Sequence, residues 1–322
     1  MIKKLLLGAA GAALIALNPV AAQELKEINF GIISTESSTN LKSDWQPILE
    51  AMAKKTGMKV NAFFASDYAG IIEGMRFNKV QVAWFGNKSA MEAVDRADGE
   101  IFAQMVNADG TKGYYSHLIV NKDSALHSLD DVLAQGKNLS FGNGDPNSTS
   151  GFLVPSYYVF AKNKIDPKTF FKLTRGANHE ANAMAVANKQ IDVATNNSEN
   201  LEKIKEHAPD KFNQIRVIWT SPLIPLDPLV MRKDMPEATK ARVRDFFYTY
   251  GQGGQQEKDA LMKLSKLSGF KASTNAQLTP IRQLELFKSR NKIEADAGLP
   301  AADKKVKLAE IDQKLATLAA AK

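Results

Sequence analysis

Short apolar runs alternate with amphipathic segments along the first third of the chain. The apolar, β-rich runs cover residues 28–35, 58–65 and 80–85, and segments with helical spacing of apolar residues lie between them at 44–55 and 69–77. This alternation of strands and helices predicts a largely parallel sheet with helices on both faces.

The same alternation begins again near residue 139. Strands are predicted at 139–141, 172–175 and 191–195, with a helix after Ser150 and another over 180–188. The stretch N-K-V-Q-V-A of the first part is echoed by N-K-Q-I-D-V-A in the second, and an Asn-bearing loop follows each copy. We therefore predict an α/β protein of two doubly wound lobes, whose ligand would lie beyond the carboxyl ends of the strands.

Two extended segments, 114–122 and 216–232, are predicted to join the lobes as a two-strand hinge. The second contains three prolines, which exclude a regular helix. On this basis lobe 1 comprises residues 23–118 and 231–290, and lobe 2 comprises residues 119–230. A hinge of two strands permits closure around a ligand.

The chain ends in a predicted helical extension over residues 291–322. Its apolar residues recur at three- and four-residue spacing, at Leu308, Ile311, Leu315 and Leu318. A stripe of this kind is more typical of a helix packed on its own domain, and a homodimer through this helix is the alternative.

The first 22 residues resemble a secretory signal peptide. Lys3 and Lys4 precede an apolar run from Leu5 to Leu17, and the small residues Ala21 and Ala22 follow. No later stretch has the length of a transmembrane helix. We therefore expect export to the periplasm.

Composition narrows the classes of partner. The net charge of +7 is spread along the chain without a dense basic block, which argues against nucleic acid. The chain has no cysteine, so it has neither disulfides nor a thiolate metal site. We predict no cofactor and no metal.

The stretch G-N-G-D-P-N-S-T-S-G-F, residues 142–152, places three hydroxyl residues at the start of a predicted helix. A helix N-terminus offers unpaired N–H groups and a partial positive charge, and Ser148, Thr149 and Ser150 add hydroxyl donors. One of the three suffices to cap the helix, so this run favours an anion site over capping alone. Pro155 is expected to kink or delay the helix.

Five further residues at loop ends are candidates for the same crevice. Tyr68, Tyr114 and His179 are predicted oxyanion donors, although each also suits a purely structural role. Glu199 and Asp227 lie on segments expected to reach the crevice, where an uncompensated pair of carboxylates would repel. A bound ammonium would relieve that repulsion, whereas solvated surface acids are the alternative.

Several long blocks closely resemble the PhnD-type phosphonate-binding proteins of ABC importers. Among them are V-N-A-F-F-A-S-D-Y-A-G-I-I-E-G-M-R-F-N-K-V, F-G-N-G-D-P-N-S-T-S-G-F-L-V-P and A-N-K-Q-I-D-V-A-T-N-N, and the likeness extends from about Ile28 to Phe287. The resemblance implies a type II periplasmic binding protein fold and a partner permease.

The resemblance also implies roles for the candidate residues. The phosphonate oxygens would be held by Ser148, Thr149 and Ser150, together with Tyr68, Tyr114 and His179. The amino group of 2-aminoethylphosphonate would be held by Glu199 and Asp227. One position departs from the pattern, because Phe85 stands where a tyrosine is expected, which removes a hydroxyl near the predicted pocket.

Two alternatives remain at this point. One is that the ligand is another oxyanion, such as phosphate, phosphite or a sulfonate. The other is that the chain is a hydrolase with a catalytic group in the cleft. Against the hydrolase, no nucleophile motif of the G-x-S-x-G kind is present. The four histidines also lack metal-ligand spacing; they are His117, His127, His179 and His207.

Overall fold

The computed structural model describes residues 24–320, so the predicted signal peptide lies outside the described residues. The strands are β1 (Glu27–Ile32), β2 (Lys59–Phe64), β3 (Val82–Trp84), β4 (Gly99–Asn107), β5 (Gly113–Tyr114), β6 (Ser116–Asn121), β7 (Ser140–Asn143), β8 (Leu173–Gly176), β9 (Val193–Asn197), β10 (Ile215–Thr220), β11 (Ile224–Pro225), β12 (Pro228–Arg232) and β13 (Leu267–Ala272).

The α-helices are α1 (Ser38–Thr56), α2 (Tyr68–Arg76), α3 (Asn87–Arg96), α4 (Leu129–Gln135), α5 (Pro167–Phe170), α6 (His179–Ala187), α7 (Ser198–His207), α8 (Pro209–Phe212), α9 (Glu237–Thr249), α10 (Gln255–Ser265), α11 (Thr279–Ala295) and α12 (Ala301–Ala320). Two π-helical segments cover Thr149–Leu153 and Ser156–Phe160, and short 3₁₀ turns cover Gly136–Asn138, Ala161–Asn163 and Asn275–Leu278. Among residues 24–320, no helix has both the length and the apolar character needed to cross a bilayer.

The first lobe is built on a six-stranded sheet with the order β13-β4-β12-β3-β1-β2. Strand β1 is parallel to β2 and β3, whereas β12 is antiparallel to both of its neighbours. The core contains fully buried aromatic residues, with Phe30 against Trp45 at a ring-centroid distance of 5.0 Å and Phe246 against Phe247 at 5.0 Å.

The second lobe repeats this plan in a five-stranded sheet of order β10-β6-β9-β7-β8. Strand β7 is parallel to β8 and β9, and β6 is antiparallel to both β9 and β10. Separate apolar clusters cover its faces, one around Phe141 and Phe160 and the other around Ile119 and Val186. In each sheet one antiparallel strand lies next to the three parallel strands. It is β12 in the first sheet and β6 in the second, and each follows a segment in which the chain crosses from the other lobe. This arrangement confirms the predicted α/β fold of two doubly wound lobes.

The chain crosses between the lobes over shorter segments than the sequence pattern predicts. Strands β5 and β11 pair with each other as a two-stranded sheet and form the hinge. Strand β6 pairs within the second sheet and β12 within the first, so the predicted lobe boundaries at residues 118 and 230 each fall inside a strand. At each crossing one uninterrupted extended run contains both the hinge strand and a sheet strand, so the sequence pattern alone does not separate them.

The C-terminal helices cap one side of the molecule. Helix α11 begins on the first lobe, where Ile281 and Leu284 are buried, and its Phe287 ring stacks on Tyr157 of the second lobe at a centroid distance of 6.0 Å. Helix α12 packs against α11, and Arg290 Nε donates to Asp312 Oδ1 across their interface (3.0 Å). The apolar stripe of α12 therefore has a partner within its own chain.

The close approach of the hinge strands generates a prediction at Gly113. A Cβ atom at this position would lie 2.0 Å from the backbone oxygen of Ile224. We expect Gly113→Ala to lower the free energy of unfolding by about 1–3 kcal/mol, because the hinge backbone must move to admit the methyl group. Urea denaturation measures this change. Gly176→Ala is the control, because its methyl group would meet no atom within 4 Å, and equal losses in both variants would contradict the prediction.

Candidate functional site

The hydroxyl run begins a helix of unusual geometry. Ser148 is the N-cap, and its Oγ accepts a hydrogen bond from the Gly151 backbone N–H (3.0 Å). The Leu153 N–H donates to the Ser148 carbonyl oxygen (3.1 Å), five residues back, which is the π-helical pattern. The helix thus continues through Pro155, the residue expected to kink or delay it, between two π-helical segments. The wider turn accommodates a residue that has no N–H to donate.

The three hydroxyls of the run each have a different protein partner. Ser148 caps the helix, whereas Thr149 Oγ1 accepts from the backbone N–H of Lys88 in the first lobe (2.8 Å). Ser150 Oγ accepts from Asn197 Nδ2 (3.0 Å). Each hydroxyl accepts a hydrogen bond in these contacts and therefore keeps its own proton to donate. Single capping does not account for this arrangement.

His179 lies directly behind the run, at the start of α6. Its Nε2 is 3.4 Å from Ser148 Oγ, 3.5 Å from Ser150 Oγ and 3.2 Å from Asn197 Nδ2. Burial lowers the pKa of His179 to about 4, so the imidazole is neutral near pH 7. If Nε2 accepts from the Asn197 amide, the proton resides on Nδ1, which is buried and has no partner among the described residues. This tautomer offers a further neutral donor.

Two buried tyrosines complete the set of donors. Tyr68 opens α2, and its backbone N–H donates to Asp145 Oδ2 (3.2 Å) across the lobes. Burial raises the pKa of Tyr68 and of Tyr114 well above the ordinary value, and Asp227 raises both further. Both phenols therefore stay protonated at neutral pH. Their hydroxyls have Ser148 and Ser150, respectively, as polar neighbours.

Two buried carboxyl groups, those of Glu199 and Asp227, lie next to these donors. Burial raises the pKa of Glu199 to about 7, while the Lys203 ammonium opposes that rise. Burial also raises the pKa of Asp227 well above its ordinary value, and repulsion from Glu199 adds to the effect. One oxygen of Asp227 accepts from Trp84 Nε1 (3.1 Å), but the other, Oδ1, is buried without a partner among the described residues.

The hydroxyl run and Asp227 both approach Gly86. A Cβ atom built on this glycine would lie 3.3 Å from Thr149 Oγ1 and 4.0 Å from Asp227 Oδ1. Polar contacts and electrostatic coupling connect the eight residues that the sequence singled out into one cluster between the lobes. Tyr114 joins the donors to the carboxyl groups, because both Ser150 and Asp227 are polar neighbours of its hydroxyl. Contact of these side chains with a ligand remains a prediction.

Two further polar residues support the site; Trp84 is absent from the candidates taken from the sequence, whereas Asn197 lies on one of the two Asn-bearing loops predicted to follow the strands. Trp84 ends strand β3 and orients Asp227, and Asn197 ends strand β9 and connects Ser150 with His179. Their position at the carboxyl ends of parallel strands is the signal that could have identified them. Phe85, flagged for its missing hydroxyl, is fully buried within the apolar core of the first lobe. Over residues 24–320, no cluster of three or more His, Asp or Glu side chains is arranged to hold a metal.

Comparison with known proteins gives consistent matches. A family model described as an ABC transporter, phosphonate, periplasmic substrate-binding protein matches residues 30–278. The phosphonates-binding periplasmic protein of Escherichia coli strain K12 is 59% identical over 300 residues, which cover 93% of this chain and 88% of that protein. The phosphate-import protein PhnD of Mycolicibacterium smegmatis is 30% identical over 207 residues, covering 61% of this chain and 63% of that protein.

A solved structure agrees with these matches. The binding protein component of an ABC phosphonate transporter from Pseudomonas aeruginosa superposes with a TM-score of 0.89 at 58% identity, and the match covers 92% of this chain and 97% of that one.

The raised pKa of Glu199 predicts a pH dependence of stability without ligand. The folded protein retains a proton that the unfolded chain releases between about pH 4.5 and 7, so this carboxyl lowers stability as the pH rises through that window. Glu199→Gln is neutral at every pH and is free of this loss. In thermal unfolding, we expect the melting midpoint of Glu199→Gln minus that of the original chain to increase from pH 5 to pH 8.

The control for this prediction is Glu206→Gln, which removes the same charge from an exposed position of the same helix. Parallel pH profiles for the original chain and Glu199→Gln would show that Glu199 titrates as an ordinary surface carboxyl.

Proposed function

The chain belongs to the periplasmic substrate-binding proteins of phosphonate ABC transporters, and we propose that it captures 2-aminoethylphosphonate between its lobes and delivers it to the permease. Proteins of this kind are binding components of transporters, so the chain is not an enzyme. The hydrolase alternative is thereby set aside.

The observation that carries the proposal is the clustering of neutral donors and buried carboxyl groups at one site between the lobes. Hydroxyl, phenol and backbone N–H donors at a helix N-terminus suit a phosphonate, whose negative charge strengthens every such hydrogen bond. Asp227 Oδ1, buried without a partner among the described residues, marks the carboxyl groups as acceptors for a cation. A zwitterion with an anionic and an ammonium terminus satisfies the donors and the carboxyl groups at once.

The ammonium also accounts for the carboxylate pair. Glu199 and Asp227 repel each other, and burial disfavours the charge on both. A bound ammonium favours their ionised forms and supplies the donors that Asp227 lacks. We therefore infer that ligand binding lowers the pKa of both groups.

A receptor for an oxyanion without an amine is the second candidate. It is favoured by the Mycolicibacterium smegmatis relative, which is named for phosphate import. Phosphate would use the hydroxyl run but would leave both carboxylates without a cation, so we propose that it binds more weakly than the aminated ligand. The same argument applies to phosphite and sulfonates.

The cellular setting follows from the family. Its members are periplasmic, and we propose that residues 1–22 direct export. Self-association through α12 stays a prediction, and it would have to compete with the packing of α12 on α11.

The proposal predicts a selective effect of Glu199→Gln on binding. We expect the affinity for 2-aminoethylphosphonate to fall about 10- to 100-fold, because a hydrogen bond to a charged group is worth roughly 1.5–3 kcal/mol. The affinity for methylphosphonate should change little, since that ligand has no ammonium. Isothermal titration calorimetry with both ligands and inorganic phosphate measures the effect.

Glu206→Gln is again the matched control, because it changes the net charge equally and lies on the exposed part of α7. Equal losses for both phosphonates in Glu199→Gln would contradict the assignment of the ammonium to this carboxylate. Equal affinities of the original chain for all three ligands would remove both carboxylates from the site.

A further inference from the structure

A lysine of the second lobe inserts between two acids of the first. The Lys203 ammonium, on α7, pairs with Asp44 on α1 and lies 3.4 Å from Glu36 Oε1, in the loop before α1. The side chains of Asp44 and Glu36 are only 2% and 5% exposed, and that of Lys203 is 13% exposed. The three groups form a largely desolvated ionic contact outside the ligand crevice.

A second contact runs between the same lobes beside it. Glu180, on α6 of the second lobe, accepts from the Ser37 backbone N–H (2.7 Å) and from Asn40 Nδ2 (3.1 Å). Both donors lie at the N-terminus of α1, where a carboxylate interacts favourably with the helix dipole. We call Lys203, Glu180 and their partners on the first lobe the clasp.

Each clasp residue of the second lobe lies on a helix that also carries a site residue. Glu180 directly follows His179 at the start of α6, and Lys203 is one helical turn after Glu199 on α7. A rigid helix therefore connects each side of the crevice to an ionic contact that exists only while the lobes touch. Movement of either helix toward a ligand moves its clasp residue toward the first lobe.

We propose that Lys203 is a positioning residue that ties ligand capture to lobe closure, by joining Glu36 and Asp44 of the first lobe when the crevice is shut. This role deepens the proposed function, because it concerns closure around whichever phosphonate the crevice holds. Lys203 acts through the lobes and does not contact the ligand.

The charges in the clasp explain why the contact depends on closure. When the lobes separate, Glu36, Asp44 and Lys203 regain water, and Asp44 keeps a second cation from its own lobe, Lys263, at 3.7 Å. In the closed form the acids are buried, and Lys203 is the cation within 4.0 Å of Glu36 among the described residues. Removing one partner of a buried ionic contact strongly destabilises the state that buries it. Loss of Lys203 therefore penalises the closed form and leaves the open form nearly unchanged.

The experiment compares Lys203→Met with Lys205→Gln, a control on the same helix whose lysine is 56% exposed and lies 3.9 Å from Glu202. Calorimetry and stopped-flow binding are performed with 2-aminoethylphosphonate and with methylphosphonate. We expect Lys203→Met to weaken both ligands by a similar factor, about tenfold or more, mainly through faster dissociation. The control should bind like the original chain.

Three further measurements separate this role from a merely structural one. The ligand-induced rise of the melting midpoint should shrink in Lys203→Met, and by more than any fall of the midpoint without ligand. Replacement of the acid in the double variant Lys203→Met, Glu36→Gln should recover part of the affinity, because a neutral side chain is cheaper to bury than an unpaired carboxylate. Spin labels on one introduced cysteine in each lobe report the closed fraction directly, since the chain has no cysteine of its own.

The proposal is overturned if Lys203→Met and Lys205→Gln bind both phosphonates with the same affinity. It is equally overturned if the distance between the spin labels is the same in these two variants at every ligand concentration. It is also overturned if the variant loses stability without ligand and keeps its full ligand-induced rise. A loss confined to 2-aminoethylphosphonate would instead assign Lys203 to the electrostatics of Glu199. Failure of the proposed function has a different signature, which is the absence of any preference for the aminated ligand in the original chain.

Discussion

The structure depends on the burial of two neighbouring carboxyl groups, Glu199 and Asp227, beside a set of hydrogen-bond donors. Burial is unfavourable for the charge on each carboxylate and their mutual repulsion adds to the penalty, so the site without ligand favours their protonated forms, whereas a bound cation would favour their ionised forms. The hydroxyl run and the neutral His179 create the complementary condition for an anion. Under the proposed function, a ligand would be selected by having both an anionic group for the donors and a cationic group for the carboxylates.

Neither the donors nor the carboxyl groups could be assembled by one lobe alone. Thr149 lies on a helix of the second lobe, whereas the Lys88 N–H that binds its oxygen lies on α3 of the first lobe. Asp227 follows the hinge strand β11, and Trp84, which orients it, ends a strand of the first sheet. The site is complete only where the carboxyl ends of both parallel trios meet, which is where the fold class places ligands. Each sheet positions the site residues of its own lobe, and strands β5 and β11 connect the two lobes.

The sequence predicts local features well because their causes are local. Alternating periodicity locates β1, β2, β3 and their counterparts in the second lobe, and the hydroxyls before a helix identify the cap at Ser148. Features that depend on distant residues are missed. The role of Trp84 requires Asp227, 143 residues away, and the contact of Lys203 requires Asp44, 159 residues away. The π-helical segments around Pro155 are not predicted from the sequence, because local propensities describe the α-helix that proline interrupts and not the rarer π-helix.

The strand order of the first sheet has a consequence for how the chain acquires its structure. Strand β12 lies between β3 and β4, although about 120 residues, including the whole second lobe, separate it from β4 along the chain. During synthesis from the N-terminus, the second lobe can finish folding while the first still has an open slot in its centre. The lobe that begins first is thus completed last. Its hydrogen-bonding edges stay unpaired until the late strand arrives, which makes that interval the one in which the nascent protein is most exposed to mispairing and most in need of protection.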